Sequence, residues 1–214
     1  MNHTVSRYKS PVTSLAFLAG DWALCSSVLM SLTVNDKIIA VFGASRSAPG
    51  DETYEDGVIC GRLLAENGYG VVTGGYGGLM EAVSKGASEA GGYVLGVTAP
   101  AVFRDRAGAN GFVSEERRAE HLLERIHQLT DISAGAIVLP GSLGTLTELG
   151  VAWNLAFVTR FSGEEPKPLV TVGATWQRLI NDLGSQLATD TELVRCVATA
   201  DQAVEVIKQA VPVG

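Results

Sequence analysis

"VLPGSLGTLTELG", residues 138–150, ends an apolar run at Pro140, passes through glycines and hydroxyls, and then resumes apolar spacing around a lone carboxylate, Glu148. A short apolar run that stops at glycine or proline is the pattern of a strand covered on both faces. The segment that follows, "GTLTELGVAWNLAFVTRF", spaces its apolar residues as a helix does, so the spacing predicts a helix from Gly144 to Phe161. One strand, one glycine-rich turn and one helix are thus laid out in order.

The same unit recurs to either side. "KIIAVFG", "YGVVTGG", "YVLGVTAP", "KPLVTVG" and "VRCVATA" read as further strands. Between them, "DETYEDGVICGRLLAENG", "GLMEAVSKGASEAG", "TWQRLINDLGSQL" and "DQAVEVIKQAV" read as helices, the first closing at Gly68. "SEERRAEHLLERIHQLTDIS" reads as one long helix opening at Ser114. Regular alternation of this kind predicts an α/β fold. It is a Rossmann-like parallel sheet with right-handed crossovers and helices on both faces, in a single domain over residues 34–214. Residues 1–33 are expected to be a flexible N-terminal extension. Their apolar stretch is interrupted by Asp21 and falls short of the about 18 residues that a membrane span needs. They also make a poor signal peptide.

Composition narrows the function. The chain has 214 residues, 46% hydrophobic, enough to bury a sizeable core. A net charge of -7 without any Lys/Arg run argues against a nucleic-acid partner, because phosphate backbones are held by basic surfaces. The three cysteines, Cys25, Cys60 and Cys196, are scattered without metal-ligand spacing and read as reduced thiols of a cytoplasmic protein. His121 and His127 are six apart on the predicted helix, a poor spacing for a shared metal. Trp153 and Phe157, one helical turn apart, read as core or as a dimer face.

In an open α/β sheet, ligands gather beyond the carboxyl ends of the strands. Three such ends carry ligand-type residues: "FGASRS" with Ser45, "TGGYGGLMEA" with Gly74, Gly75, Gly77 and Gly78, and "PGSLGTLTE" with Gly141, Gly144 and Thr145. Bare backbone at the start of a helix admits an anion closely, and the free N–H groups there favour it. "GASRSAPG" departs from the GxGxxG dinucleotide fingerprint, and no glycine is followed by the GK[ST] of a Walker A loop. A mononucleotide or a sugar phosphate therefore fits better than NAD or ATP.

"TGGYGGLMEAV" together with "PGSLGTLTE" resembles the LOG-type nucleoside 5'-monophosphate phosphoribohydrolases, also labelled lysine decarboxylase-like, over roughly Lys37–Phe161. Their motifs are a GGGxxGLM-like loop and PGGxGTxxE. The resemblance implies hydrolysis of the N-glycosidic bond of a purine-type nucleoside 5'-monophosphate, AMP or a cytokinin riboside monophosphate, to free base and ribose 5-phosphate. It also implies a catalytic pair, Arg125 and Glu148. Gly141, Gly144 and Thr145 would cradle the phosphate, and Gly74, Gly75, Gly78 and Met80 would line the nucleotide pocket. A homodimer built on the Gly144–Phe161 helix is implied as well, with no metal and no cofactor.

The chemistry of the residues agrees with that assignment. Breaking a ribosyl–base bond develops positive charge on the sugar, which a carboxylate stabilises while it activates water. Glu148 is expected in the first turn of its helix, kept ionised by the helix N-terminus and fixed by Arg125. The sequence departs from the family at Ser142, which replaces the second glycine of PGG, and at Tyr76, which puts a ring where bare backbone is usual. "ERIHQL" from Glu124 has Ile126 where the cytokinin-activating branch has lysine, and Ala134 stands where an acid is usual. These departures weigh against cytokinin specificity. Ser142 and Tyr76 favour the alternative, a non-catalytic nucleotide or molybdenum-cofactor carrier or sensor of the same fold, which the chain also resembles, whereas retention of both Arg125 and Glu148 favours the enzyme. A pyridoxal-dependent decarboxylase is disfavoured, since none of Lys37, Lys85, Lys167 or Lys208 sits in a cofactor loop.

Overall fold

The computed structural model describes residues 37–106 and 108–213. The expected extension over residues 1–33 lies outside the described residues. Seven strands form one parallel sheet in the order β4-β3-β2-β1-β5-β6-β7. They are β1 (Ile38–Phe42), β2 (Gly70–Thr73), β3 (Val94–Thr98), β4 (Glu115–Arg118), β5 (Gly135–Val138), β6 (Leu169–Val172) and β7 (Val194–Val197). Among the described residues six α-helices alternate with them: α1 (Glu52–Glu66), α2 (Leu79–Glu89), α3 (Leu122–Ile132), α4 (Leu143–Thr159), α5 (Ala174–Leu187) and α6 (Ala200–Ala210). This is the Rossmann-like α/β domain that the alternation predicts.

The strand side chains sort into two cores. Ile39 and Val41 of β1 point to a core shared with Leu64 of α1, Leu79 and Val83 of α2, and Val204 and Ile207 of α6. Ile38, Ala40 and Phe42 point the other way, to Leu129 of α3, Leu149 and Trp153 of α4, and Trp176 and Ile180 of α5. Because both faces are covered, β1, β3, β5 and β6 are buried at every position, which is why they read as unbroken apolar runs. The Trp153 indole N–H donates to the Asp190 carbonyl at 2.9 Å, so this ring belongs to the core rather than to a base-stacking surface.

One expected element divides in two. The long helix anticipated from Ser114 is instead the edge strand β4 followed by a helix that starts at Leu122. β3 would otherwise end the sheet, and the 115–118 stretch pairs with it from Leu95↔Glu115 to Thr98↔Arg118. The charges that looked like a helical first turn protect that edge. Tyr93 and Thr98 donate their hydroxyls to Glu115 and Glu116 at 2.8 and 2.7 Å, and Arg117 and Arg118 pair with the same two acids. His121, on the expected metal-free helix, is the N-cap of α3, its ring nitrogen accepting from the Glu124 amide at 3.2 Å.

The strand order reverses direction between β1 and β5, and a crevice opens there beyond the carboxyl ends of the strands. No helix among the described residues is long and apolar enough to cross a membrane.

Candidate active site

Three loops meet at this switch point, and they are tied through one residue. The Ala44 amide donates to the Pro140 carbonyl at 3.1 Å, and the Ala44 carbonyl accepts from the Leu79 amide at 2.8 Å. The loops after β1, β2 and β5 are thereby held together. The Trp176 indole adds a buried hydrogen bond to the Leu139 carbonyl at 3.0 Å, just ahead of the turn into α4.

The cleft between these loops is a cavity of about 120 Å³. Of the residues expected at a site, Ser45, Gly74, Met80, Arg125, Gly144, Thr145 and Glu148 line it. Gly75, Gly78 and Gly141 do not, and the reason is visible at each. Gly75 and Gly78 hold positive φ, +75° and +74°. The first packs its Cα face against Gly96 and the second against the Ala44–Ser45 backbone. A Cβ on Gly141 would collide with the Thr145 side chain. These glycines allow protein atoms, not ligand, to come close. Gly74 is bare because the Arg125 guanidinium passes over it.

Arg125 is 5% exposed and almost fully engaged. Its Nε donates to the Val97 carbonyl at 2.7 Å and its Nη2 to the Gly74 carbonyl at 3.0 Å, the ends of β3 and β2. The Met80 sulfur lies 3.7 Å from the same Nη2. The remaining nitrogen, Nη1, faces Glu148 Oε1 at 3.5 Å, an ion-pair contact at the long limit of a hydrogen bond. Two residues that stand 23 apart in the chain therefore meet over one cavity.

Glu148 sits in the second turn of α4, not the first, because the helix begins at Leu143. The helix dipole fades within a turn. Burial dominates instead and pushes the Glu148 carboxyl up to about 7, against the opposing pull of Arg125. The helix terminus, expected to help keep this carboxylate ionised, is a turn away, and burial outweighs it. Burial also moves Arg125 down from its ordinary range, with Glu148 working against that shift and Arg106 adding to it. A guanidinium stays protonated nonetheless.

The turn into α4 is built by Ser142 and Thr145. Ser142 occupies the N-cap position, and its amide donates to the buried Thr145 hydroxyl at 3.3 Å. Serine suits an N-cap, which accounts for its presence where the family's second glycine is usual. Gly144 has open space where a Cβ would project. The Tyr76 ring does not line this cleft. It is buried edge-on to Phe103, and its hydroxyl accepts from the Ala99 amide at 2.8 Å.

Sequence reading missed Arg106, which lines the cleft from the loop between β3 and β4. Its guanidinium lies 4.8 Å from the Tyr76 ring centroid and 4.7 Å from that of Phe103. Arg125 approaches the same two rings at 5.7 and 5.6 Å. Two guanidinium groups thus converge on a cleft with a single carboxylate, a balance that suits an anionic ligand. The available signal was the run of charges in "FRDR" past the third strand end, where ligand residues concentrate.

The profile of the SLOG cluster4 family matches residues 36–158, a stretch that contains every residue of the cleft. The chain is 33% identical over 138 residues to a Mycobacterium tuberculosis protein named cytokinin riboside 5'-monophosphate phosphoribohydrolase, covering 64% of this chain and 71% of the relative. Among solved structures, it is similar in fold to a molybdenum cofactor binding protein from Rippkaea orientalis. The TM-score is 0.64 at 23% identity, over 81% of this chain and 96% of that one. The molybdenum cofactor carrier protein of Chlamydomonas reinhardtii matches with the same TM-score and identity, over 81% and 97%. These structures share the fold, whereas the profile spans both halves of the cleft; the chain belongs to the SLOG cluster4 family, one of the LOG-like families.

Proposed function

We propose that the chain is a phosphoribohydrolase that cleaves the N-glycosidic bond of a purine-type nucleoside 5'-monophosphate. The carrying observation is the meeting of Arg125 and Glu148 over the switch-point cleft. The named activity of the Mycobacterium tuberculosis relative supports the reading. In it, the 5'-phosphate lies at the N-terminus of α4, where Gly144 lines the cavity without a side chain. The sugar then sits beside Glu148. As the bond to the base lengthens, positive charge gathers on the anomeric carbon, and the nearby carboxylate stabilises it. A water molecule adds to that carbon and gives a proton to Glu148 as the bond to the base breaks; the base leaves with a proton from solvent, and Glu148 returns its own to solvent. Arg125, locked by two carbonyls, keeps the carboxylate aimed and ionisable. This scheme calls on no metal and no cofactor.

Incubation with AMP is expected to release free adenine and ribose 5-phosphate in equal amounts, read by chromatography. Tight AMP binding with no adenine formed would support instead a carrier or sensor of the same fold.

Gly144→Ala offers a separate check of where the phosphate lies. The added methyl meets no protein atom, and alanine favours a helix by about 1 kcal/mol over glycine. The melting temperature should hold or rise slightly while affinity for ribose 5-phosphate, measured by titration calorimetry, falls about tenfold or more. Undiminished affinity would move the phosphate elsewhere.

The outer face of α4 and the turn after it expose Leu155, Val158 and Phe161, the last 78% exposed. A surface helix ordinarily shows polar residues to water. We assign this face to a homodimer. Light scattering should give twice the chain mass, and Val158→Asp with Phe161→Asp should give the monomer. A monomeric unmodified chain at micromolar concentration would contradict the assignment.

A further inference from the structure

Beyond the cleft lies a second cavity of about 350 Å³, and Ser45 and Arg106 line both. Its other walls have little left to offer a ligand. Asn110 spends its amide nitrogen on the carbonyls of Gly75 and Tyr76 at 3.1 and 3.0 Å, and its carbonyl accepts from the Phe112 amide. The Tyr76 hydroxyl is taken by the Ala99 amide. Two groups are different. Glu81 accepts the Tyr54 hydroxyl on Oε1 at 3.2 Å, and among the described residues its Oε2 has no hydrogen-bond donor. Arg106 is braced on two rings, yet no carboxylate among the described residues lies within ion-pair distance of it. The groove therefore presents one strong acceptor and one strong donor.

A ligand with its phosphate at the start of α4 and its sugar beside Glu148 continues past Ser45 and Arg106 into this groove. We propose that the groove is the nucleobase subsite, and that Glu81 and Arg106 select bases carrying an exocyclic amine beside a ring nitrogen, as adenine and cytosine do. This assignment rests on reading the cleft as a 5'-monophosphate site. The amine donates to the Glu81 carboxylate, and the neighbouring ring nitrogen accepts from Arg106. Hypoxanthine and uracil put a carbonyl oxygen where the amine would be. Its lone pairs then face the half-buried Glu81 carboxylate with no proton between, and the contact turns repulsive. Glu81 stands two residues into α2, directly after the "GLM" of the loop motif, so the helix that closes the β2 loop also carries the base reader.

Titration calorimetry on the full chain carrying Glu148→Gln, which holds nucleotide without turnover, tests the idea with AMP, CMP, IMP, UMP and ribose 5-phosphate. AMP and CMP should bind at least about tenfold more tightly than IMP and UMP, the worth of one charge-assisted hydrogen bond. Adding Glu81→Gln, whose amide both donates and accepts, should bring the amino and keto bases to within about threefold while ribose 5-phosphate affinity stays the same. An unchanged preference, or none to begin with, overturns the subsite even where ribose 5-phosphate binds well. Failure to bind ribose 5-phosphate removes the reading of the cleft itself. AMP bound with the expected preference, but never converted to adenine by the unmodified chain, would end the hydrolase and leave the subsite standing.

Discussion

Replacing Glu148 by glutamine is expected to lower kcat for AMP hydrolysis about a thousandfold, a loss of about 4 kcal/mol of transition-state stabilisation. The amide matches the carboxylate in shape and still reaches Arg125, so KM should move little. What disappears is the charge opposite the developing oxocarbenium ion and the acceptor for the water proton. In the unmodified chain, kcat should climb as pH rises through about 7 and level off above it, because the proposed role needs Glu148 ionised and burial holds its proton to that point. Whatever residual activity the glutamine variant keeps should lack that rise. The same group makes stability run the other way. An unfolded chain loses this proton at the ordinary value of a glutamate, so the contribution is full below that value and fades as pH rises through about 7. A variant within tenfold of the original rate would sink the role given to Glu148.

Gly61→Ala is expected to be the most damaging small change outside the cleft. α1 and α2 cross so closely that a Cβ on Gly61 would land on the Val83 carbonyl, and one on Gly86 would land on the Val58 carbonyl. Backbone cannot give way as a side-chain tip does, so the helices must part. Overpacking of this kind costs about 3 kcal/mol, and the better helix propensity of alanine offsets about 1 of it. A net 2 kcal/mol or so corresponds to a fall of about 4–8 °C in Tm for a domain of this size, readable by calorimetry. Because α2 carries Met80 into the cleft, AMP affinity should fall with it. A Tm within a degree of the original would mean that the crossing has slack.

Much of this architecture could be read in advance, for a physical reason. Strands covered on both faces have to be apolar throughout, so β1, β3, β5 and β6 announce themselves. β4 did not, because an edge strand is free to be charged, and "EERR" has the same composition as a helical first turn. Pairing with β3 decided its state, and no local pattern records that. The glycine loops show a second limit. Gly75, Gly78 and Gly141 look like ligand contacts but admit protein atoms, whereas Gly144 faces open space. Sequence spacing does not distinguish the two. Glu148 was findable from its motif, but its turn and its proton affinity depend on where α4 starts and how deeply it is set. Arg106 and Glu81 come from separate segments of chain, and only the folded sheet gathers them around one groove.

Ala44 joins the rims of the cleft on two sides, one hydrogen bond to the turn before α4 and another from the start of α2. Any motion that widened one rim would have to break a bond to the other, so the loops around Glu148 keep their spacing. Among the described residues, the stretch between β3 and β4 makes no bond to Ala44 and is fastened instead by Asn110 to the carbonyls of Gly75 and Tyr76. Exchange of Arg106 there would leave the Ala44 bonds, and with them the spacing of the three loops, untouched.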